Sequence, residues 1–115
     1  GRLPRVPKNV VLHQGWFAET LPDFLNRHGD AVSFLHIDCD LYSSTKTVLS
    51  LLAERIVPGT VVVFDEYFNY LSWREHEFKA FQEFVKERRV QYQYLAWAYQ
   101  QAAVLITATA SPSPR

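Results

Sequence analysis

Two short apolar runs, each stopped by acids, constrain this chain more than any other feature. Residues 32–37 run into Asp38, Cys39 and Asp40, and residues 60–64 run into Asp65 and Glu66. Runs apolar at nearly every position suit parallel strands covered on both faces better than half-exposed ones. Between them Val48, Leu49, Leu52 and Ile56 recur at helical spacing, with Ser43 or Ser44 as cap and Pro58-Gly59 as terminator. A strand, a helix and a strand in this order make a right-handed crossover. The two strands are then parallel, and their carboxyl ends share one edge of the sheet.

The rest of the chain extends this pattern. Residues 19–28 carry Leu21, Phe24 and Leu25 at helical spacing, and Gly29 suits the C-terminal cap. Residues 73–89 read as one long amphipathic helix with Phe78, Phe81, Phe84 and Val85 inward, and residues 9–13, 91–97 and 102–107 read as further strands. Strand and helix alternate, so the expected class is α/β. At 115 residues, with 48% hydrophobic and 15% aromatic side chains, there is room for one globular domain. We place it at residues 9–108, between a loose segment at 1–8 and a disordered tail at 109–115. No methionine occurs, even at position 1, so a processed, excised or truncated stretch is expected.

Twelve basic side chains balance twelve acidic ones, which removes the electrostatic case for a nucleic-acid or acidic-membrane partner. No apolar run approaches the roughly 20 residues of a membrane helix. The lone Cys39 forms no internal disulfide, and a cytoplasmic location is the expectation. Specificity must therefore be local, and the acids are where the chemistry concentrates. Adjacent strands lie about 4.8 Å apart, and a hard cation about 2.1 Å from each oxygen bridges that gap. Asp38, Asp65 and Glu66 are thus candidates to share one Mg²⁺ or similar ion. Asp38 and Asp40, two apart in extended chain, project to the same side, so Asp40 suits a general base beside the ion. The plainer reading makes Asp40 a helix cap and the others strand-end polar residues. For any single aspartate that reading is the commoner one. Four acids at two matched strand ends, with no adjacent Lys or Arg in sequence, favour a cation or raised pKa values.

Tyr42, Tyr67 and Trp73 flank this edge as an apolar wall for substrate, or as its packing. His13 and His36 read as satisfied core histidines in strands. His76 reads as a solvated first helical turn or a substrate contact, and Cys39 as a small buried filler.

The stretches HIDCDLYSST, PGTVVVFDEYF and WREHEFKAF resemble the macrocin O-methyltransferase family, with the likeness running over residues 10–107. A looser likeness reaches catechol-type O-methyltransferases. The resemblance implies methyl transfer from S-adenosylmethionine, with a divalent metal, to a sugar hydroxyl on a macrolide, aminocoumarin or related small molecule. It implies a class I Rossmann-like sheet, mostly parallel, with an antiparallel strand near the C-terminus. Carried over by position, Asp38, Asp65 and Glu66 hold the metal and Asp40 takes the substrate proton. The Gly15-Trp16-Phe17 turn corresponds to the region lying against the cofactor's adenine. Such enzymes open with a strand, a glycine-rich loop, a helix and a second strand ending in a ribose-binding acid. Here Gly1, Gly15, Gly29 and Gly59 form no such loop, so the chain resembles a C-terminal half. The absent strands would lie between residues 9–13 and 32–37. Those two then pair directly, leave a gap, or borrow a missing N-terminal half or a second copy. Two other classes stay open. A strand ending in DxD also begins haloacid-dehalogenase phosphatases, where Thr or Val stands in place of Tyr42, and occurs in glycosyltransferases; and the chain is alternatively a non-catalytic remnant or interaction module.

Overall fold

The structure, a computed structural model, describes residues 3–110; residues 111–115 of the expected tail and residues 1–2 lie outside the described part. The elements in order are α1 (Phe17–Arg27), β1 (Phe34–Ile37), α2 (Tyr42–Leu52), β2 (Val61–Phe64), α3 (Glu77–Arg88), β3 (Gln91–Ala98) and β4 (Gln101–Ala108). Short 3-10 turns occupy Ala53–Arg55 and Trp73–Glu75. The four strands form one sheet in the order β1-β2-β4-β3. β1 and β2 are parallel, as the crossover requires, with Ile37 opposite Phe64. β4 runs antiparallel to both β2 and β3, so three strands share a direction and one is reversed. This is the mixed α/β class expected.

Burial alternates along the strands. Ile37, Val62, Phe64, Ala102, Val104 and Ile106 are buried on one face, beneath Leu49, Leu52, Phe81 and Phe84 of α2 and α3. The helical spacing read in the sequence did place those side chains in the core. On the other face Phe34 is 62% exposed, and Val61, Val63 and Leu105 are only partly buried. The expectation of strands covered on both faces is therefore corrected. Helices cover a single face, and the apolar runs carry more hydrophobic surface than the described chain buries.

Four local expectations also change. Residues 9–13 form no strand, since none among the described residues pairs with them, and Val10, Val11 and Leu12 are exposed. α2 begins at Tyr42 after Leu41, without a serine side-chain cap; Thr45 Oγ1 bonds the Leu41 carbonyl from inside the first turn. α1 ends without Gly29 as cap, its carboxyl end held by the Arg55 guanidinium, which donates to the Leu25 carbonyl at 3.0 Å and to the His28 carbonyl. The long helix at 73–89 is broken at His76, whose φ −119° and ψ −123° are not helical, so α3 starts at Glu77. Beyond β4 the Ala110 N–H reaches the Arg88 carbonyl at 3.3 Å.

Phe81 anchors the covered face, fully buried and 4.9 Å ring to ring from both Phe64 and Tyr92. Phe81→Ala is expected to lower stability by about 3–5 kcal/mol, read as the shift of the urea midpoint at unchanged slope.

Candidate functional site

The acid-bearing segments meet where β1 and β2 end. The Asp65 N–H donates to the Ile37 carbonyl at 2.9 Å, continuing the ladder one step past the strands. Asp38 and Asp65 follow paired residues of β1 and β2 at this edge, near enough for each to shift the other's titration. Asp38 is pushed above the ordinary carboxylate range, first by the charge of Asp65 and then by partial burial. Asp65 is held below it, chiefly by Gln101, whose Nε2 donates to Oδ1 at 2.7 Å. His36 Nε2 lies 3.5 Å from the same oxygen. Of two carboxyls this close, the one with donors keeps its charge and the other takes up a proton more readily. Glu66 follows; burial and then Asp40, Asp65 and Asp38 push it upward.

Asp40 has left the strand. The Leu41 N–H bonds the Cys39 carbonyl at 2.7 Å across it, and its φ is +65°, so a tight three-residue turn replaces the expected extended chain. Alternation from Asp38 therefore does not set where its side chain points. The Asp40 N–H donates to Glu77 Oε2 at 3.2 Å, and the Glu66 N–H donates to Glu77 Oε1 at 3.0 Å. Glu77 is fully buried, and burial, only partly offset by those two N–H donors, which favour the charged form, leaves its carboxyl pushed up to about 7.

The aromatic side chains gather on the covered face. Tyr67, Phe68, Trp73, Phe78, Tyr94 and Trp97 line a cavity of about 370 Å³ with Ala102 at its base. The Tyr67 hydroxyl is engaged by Tyr94 at 2.8 Å and Gln82 at 3.1 Å, and Trp73 is held edge-on to Phe78 beneath the Arg74 guanidinium. Tyr42 takes no part in this lining. Its hydroxyl bonds Glu83 on α3, and its ring lies under Lys79. His36 belongs to the exposed strand face rather than to the core, and His13 lies outside any strand. His76, half-exposed at the helix break, stacks on Tyr70 with its Nδ1 buried and unpartnered among the described residues and its Nε2 3.4 Å from the Ser72 hydroxyl, beside the exposed Arg74 and Glu75. Cys39 is half-buried against the core.

The sequence profile described as macrocin-O-methyltransferase (TylF) matches residues 5–98. The chain belongs to this macrocin O-methyltransferase family. No curated protein sequence matches it. Among solved structures it is similar to the apo structure of CalS11, described as a TDP-rhamnose 3'-O-methyltransferase in calicheamicin biosynthesis. The TM-score is 0.62 at 24% identity over 80% of this chain and 39% of that one. A second CalS11 structure, described as a calicheamicin methyltransferase, gives 0.62 at 22% identity over 80% and 35%. The fold is shared, and the chain spans well under half the length of those proteins.

Against the family's pattern, the acids meet unequally. Asp38 and Asp65 come together, Asp40 and Glu66 are tied to Glu77, and among the described residues no group of three or more His, Cys, Asp or Glu side chains is arranged to hold an ion. In the Gly15-Trp16-Phe17 turn, Trp16 is 79% exposed and opens α1, and Gly15 has φ +139°. A Cβ at Gly15 would come within 2.9 Å of the Thr20 methyl. The turn offers a cofactor one flat wall and no enclosure. Among the described residues no helix is long and apolar enough to cross a membrane.

The sequence singled out neither Gln101 nor Glu77, and its pattern put His36 in the core rather than beside Asp65. Glu77 was legible in one respect: at four and seven residues before Phe81 and Phe84 it shares their helical face. Its titration gives a prediction. The folded carboxyl sits at about 7 against an ordinary 4.5, so between those values the folded chain binds more protons than the unfolded one. Stability from this group is thus lost as pH rises through that window, by on the order of 3 kcal/mol. Glu77→Gln removes the slope, so the stability of Glu77→Gln relative to the parent should rise between pH 5 and pH 8 in urea titrations. An unchanged difference would contradict this.

Proposed function

We propose that this chain is the acid-bearing half of a metal-dependent O-methyltransferase, moving the methyl of S-adenosylmethionine to a sugar hydroxyl of a glycosylated natural product. The observation that carries the reading is the convergence of Asp38 and Asp65 at the carboxyl edge, in a chain of the macrocin O-methyltransferase family. Ligands of open α/β sheets bind at that edge. The reversed β4 beside three co-directional strands supports half of a Rossmann-like sheet. The span of 39% supports an incomplete one, finished by an N-terminal half or a second copy.

The donor set fits a hard divalent ion in kind: paired carboxylate oxygens whose mutual repulsion already lifts Asp38. Asp38 and Asp65 would hold it; Glu66, which is not grouped with them among the described residues, would become a third donor by turning its side chain toward the ion. Such an ion would acidify the acceptor hydroxyl and neutralise charge. Asp40 would take the proton of the acceptor hydroxyl, and S-adenosylmethionine, when bound, would supply the methyl group to the oxygen so freed. The residues act mainly by orientation and by electrostatics. The exposed Trp16 and adjacent Phe17 suit the flat adenine. The cavity bounded by Tyr67 and Trp73 suits an apolar part of the acceptor, since its lining carries no charged side chain.

Calorimetric titration with Mg²⁺ tests the ion site without turnover. Saturable heat is expected, with affinity roughly tenfold or more weaker in Asp38→Asn and in Asp65→Asn. Equal affinity in parent and both variants would remove the basis of the mechanism.

A further inference from the structure

One buried group is left without a role by this chemistry. Glu77 is fully buried at the first turn of α3, yet it caps nothing in its own helix, where no side-chain cap bond is made. Its two oxygens instead take one backbone N–H from each acid-bearing segment, Asp40 after β1 and Glu66 after β2. Those donors are 26 residues apart in sequence, and the two segments share no helix. Burying a carboxylate close to the fields of Glu66 and Asp40 is unfavourable by itself. An apolar residue would fill the space more cheaply but would leave two backbone donors without partners. The His76 backbone break, which ends the 3-10 turn and starts α3 afresh, precedes this residue directly.

We propose that Glu77 is a positioning residue, a bidentate clamp whose two oxygens fix the spacing between the Asp40 turn and the Glu66 segment. It touches neither substrate nor cofactor. It acts through the backbone of the base and of the third ion donor, so the proposal rests on the roles given to those acids above. Nothing in the clamp requires the chain to be complete, because all three groups lie within it.

Amide hydrogen exchange on the full chain, followed residue by residue, tests the clamp independently of any ion. In Glu77→Ala the Asp40 and Glu66 amides should both exchange at least roughly tenfold faster, relative to the Val61 and Ile106 amides that report on the sheet. In Glu77→Gln, which keeps one acceptor oxygen and a similar volume, one of the two amides should stay protected. This variant decides the matter if the alanine variant does not fold. Titration with Mn²⁺ alone, read by its electron paramagnetic signal, adds the functional arm. Affinity should fall about tenfold or more in the alanine variant and less in the glutamine variant. Exchange that rises only in step with Val61 and Ile106 would overturn the clamp. So would unchanged Mn²⁺ affinity with both amides released. If the parent takes up no Mn²⁺, the ion reading falls, and exchange alone decides the role of Glu77.

Discussion

The parallel pairing of β1 with β2 is the constraint on which the site depends. With Ile37 opposite Phe64, the next residue of each strand is an aspartate, and the bond from the Asp65 N–H to the Ile37 carbonyl locks that coincidence into the backbone. A slip of one residue would turn His36 and Val63 inward and send Phe64 to solvent. The hydrophobic face therefore fixes the chemistry of the edge, because the core accepts only the register that also aligns the two carboxyls.

Past the strands, backbone hydrogen bonding gives way to side chains as the organising force. Asp65 is oriented by Gln101 from β4, so the reversed strand reaches the acid edge as well as closing the sheet. Glu77 does the same from α3 for the backbone N–H groups of Asp40 and Glu66. β4 and α3 thus contribute one polar group each to the edge. The result is a graded set of carboxyls, with Asp65 lowered and Asp38, Glu66 and Glu77 raised.

What could be read in the sequence was what periodicity controls. The crossover, the buried faces of α2 and α3 and the existence of β3 and β4 all follow from apolar spacing, and so does the placing of Asp38 and Asp65 at one edge. The misreadings share a different cause. Residues 9–13 have strand composition but no partner strand, and a strand needs a neighbour to satisfy its backbone. His36 alternates to the face the helices leave bare. The break at His76 and the turn at Asp40 flank the long-range hydrogen bonds to Glu77, and local propensity does not encode those. Tyr42, beside the acids along the chain, opens α2 and turns its hydroxyl toward Glu83.

The bare side of the sheet has a consequence for handling. β1 is an outer strand, its far side carrying backbone groups that no described strand engages, with Phe34 standing out beside them. A border of that kind is a template onto which any extended peptide can zip. In a longer polypeptide the template would be occupied from within. Studied by itself at high concentration, this chain should be stickiest along that margin, and a charged residue in place of Phe34 is the natural first step toward a well-behaved sample.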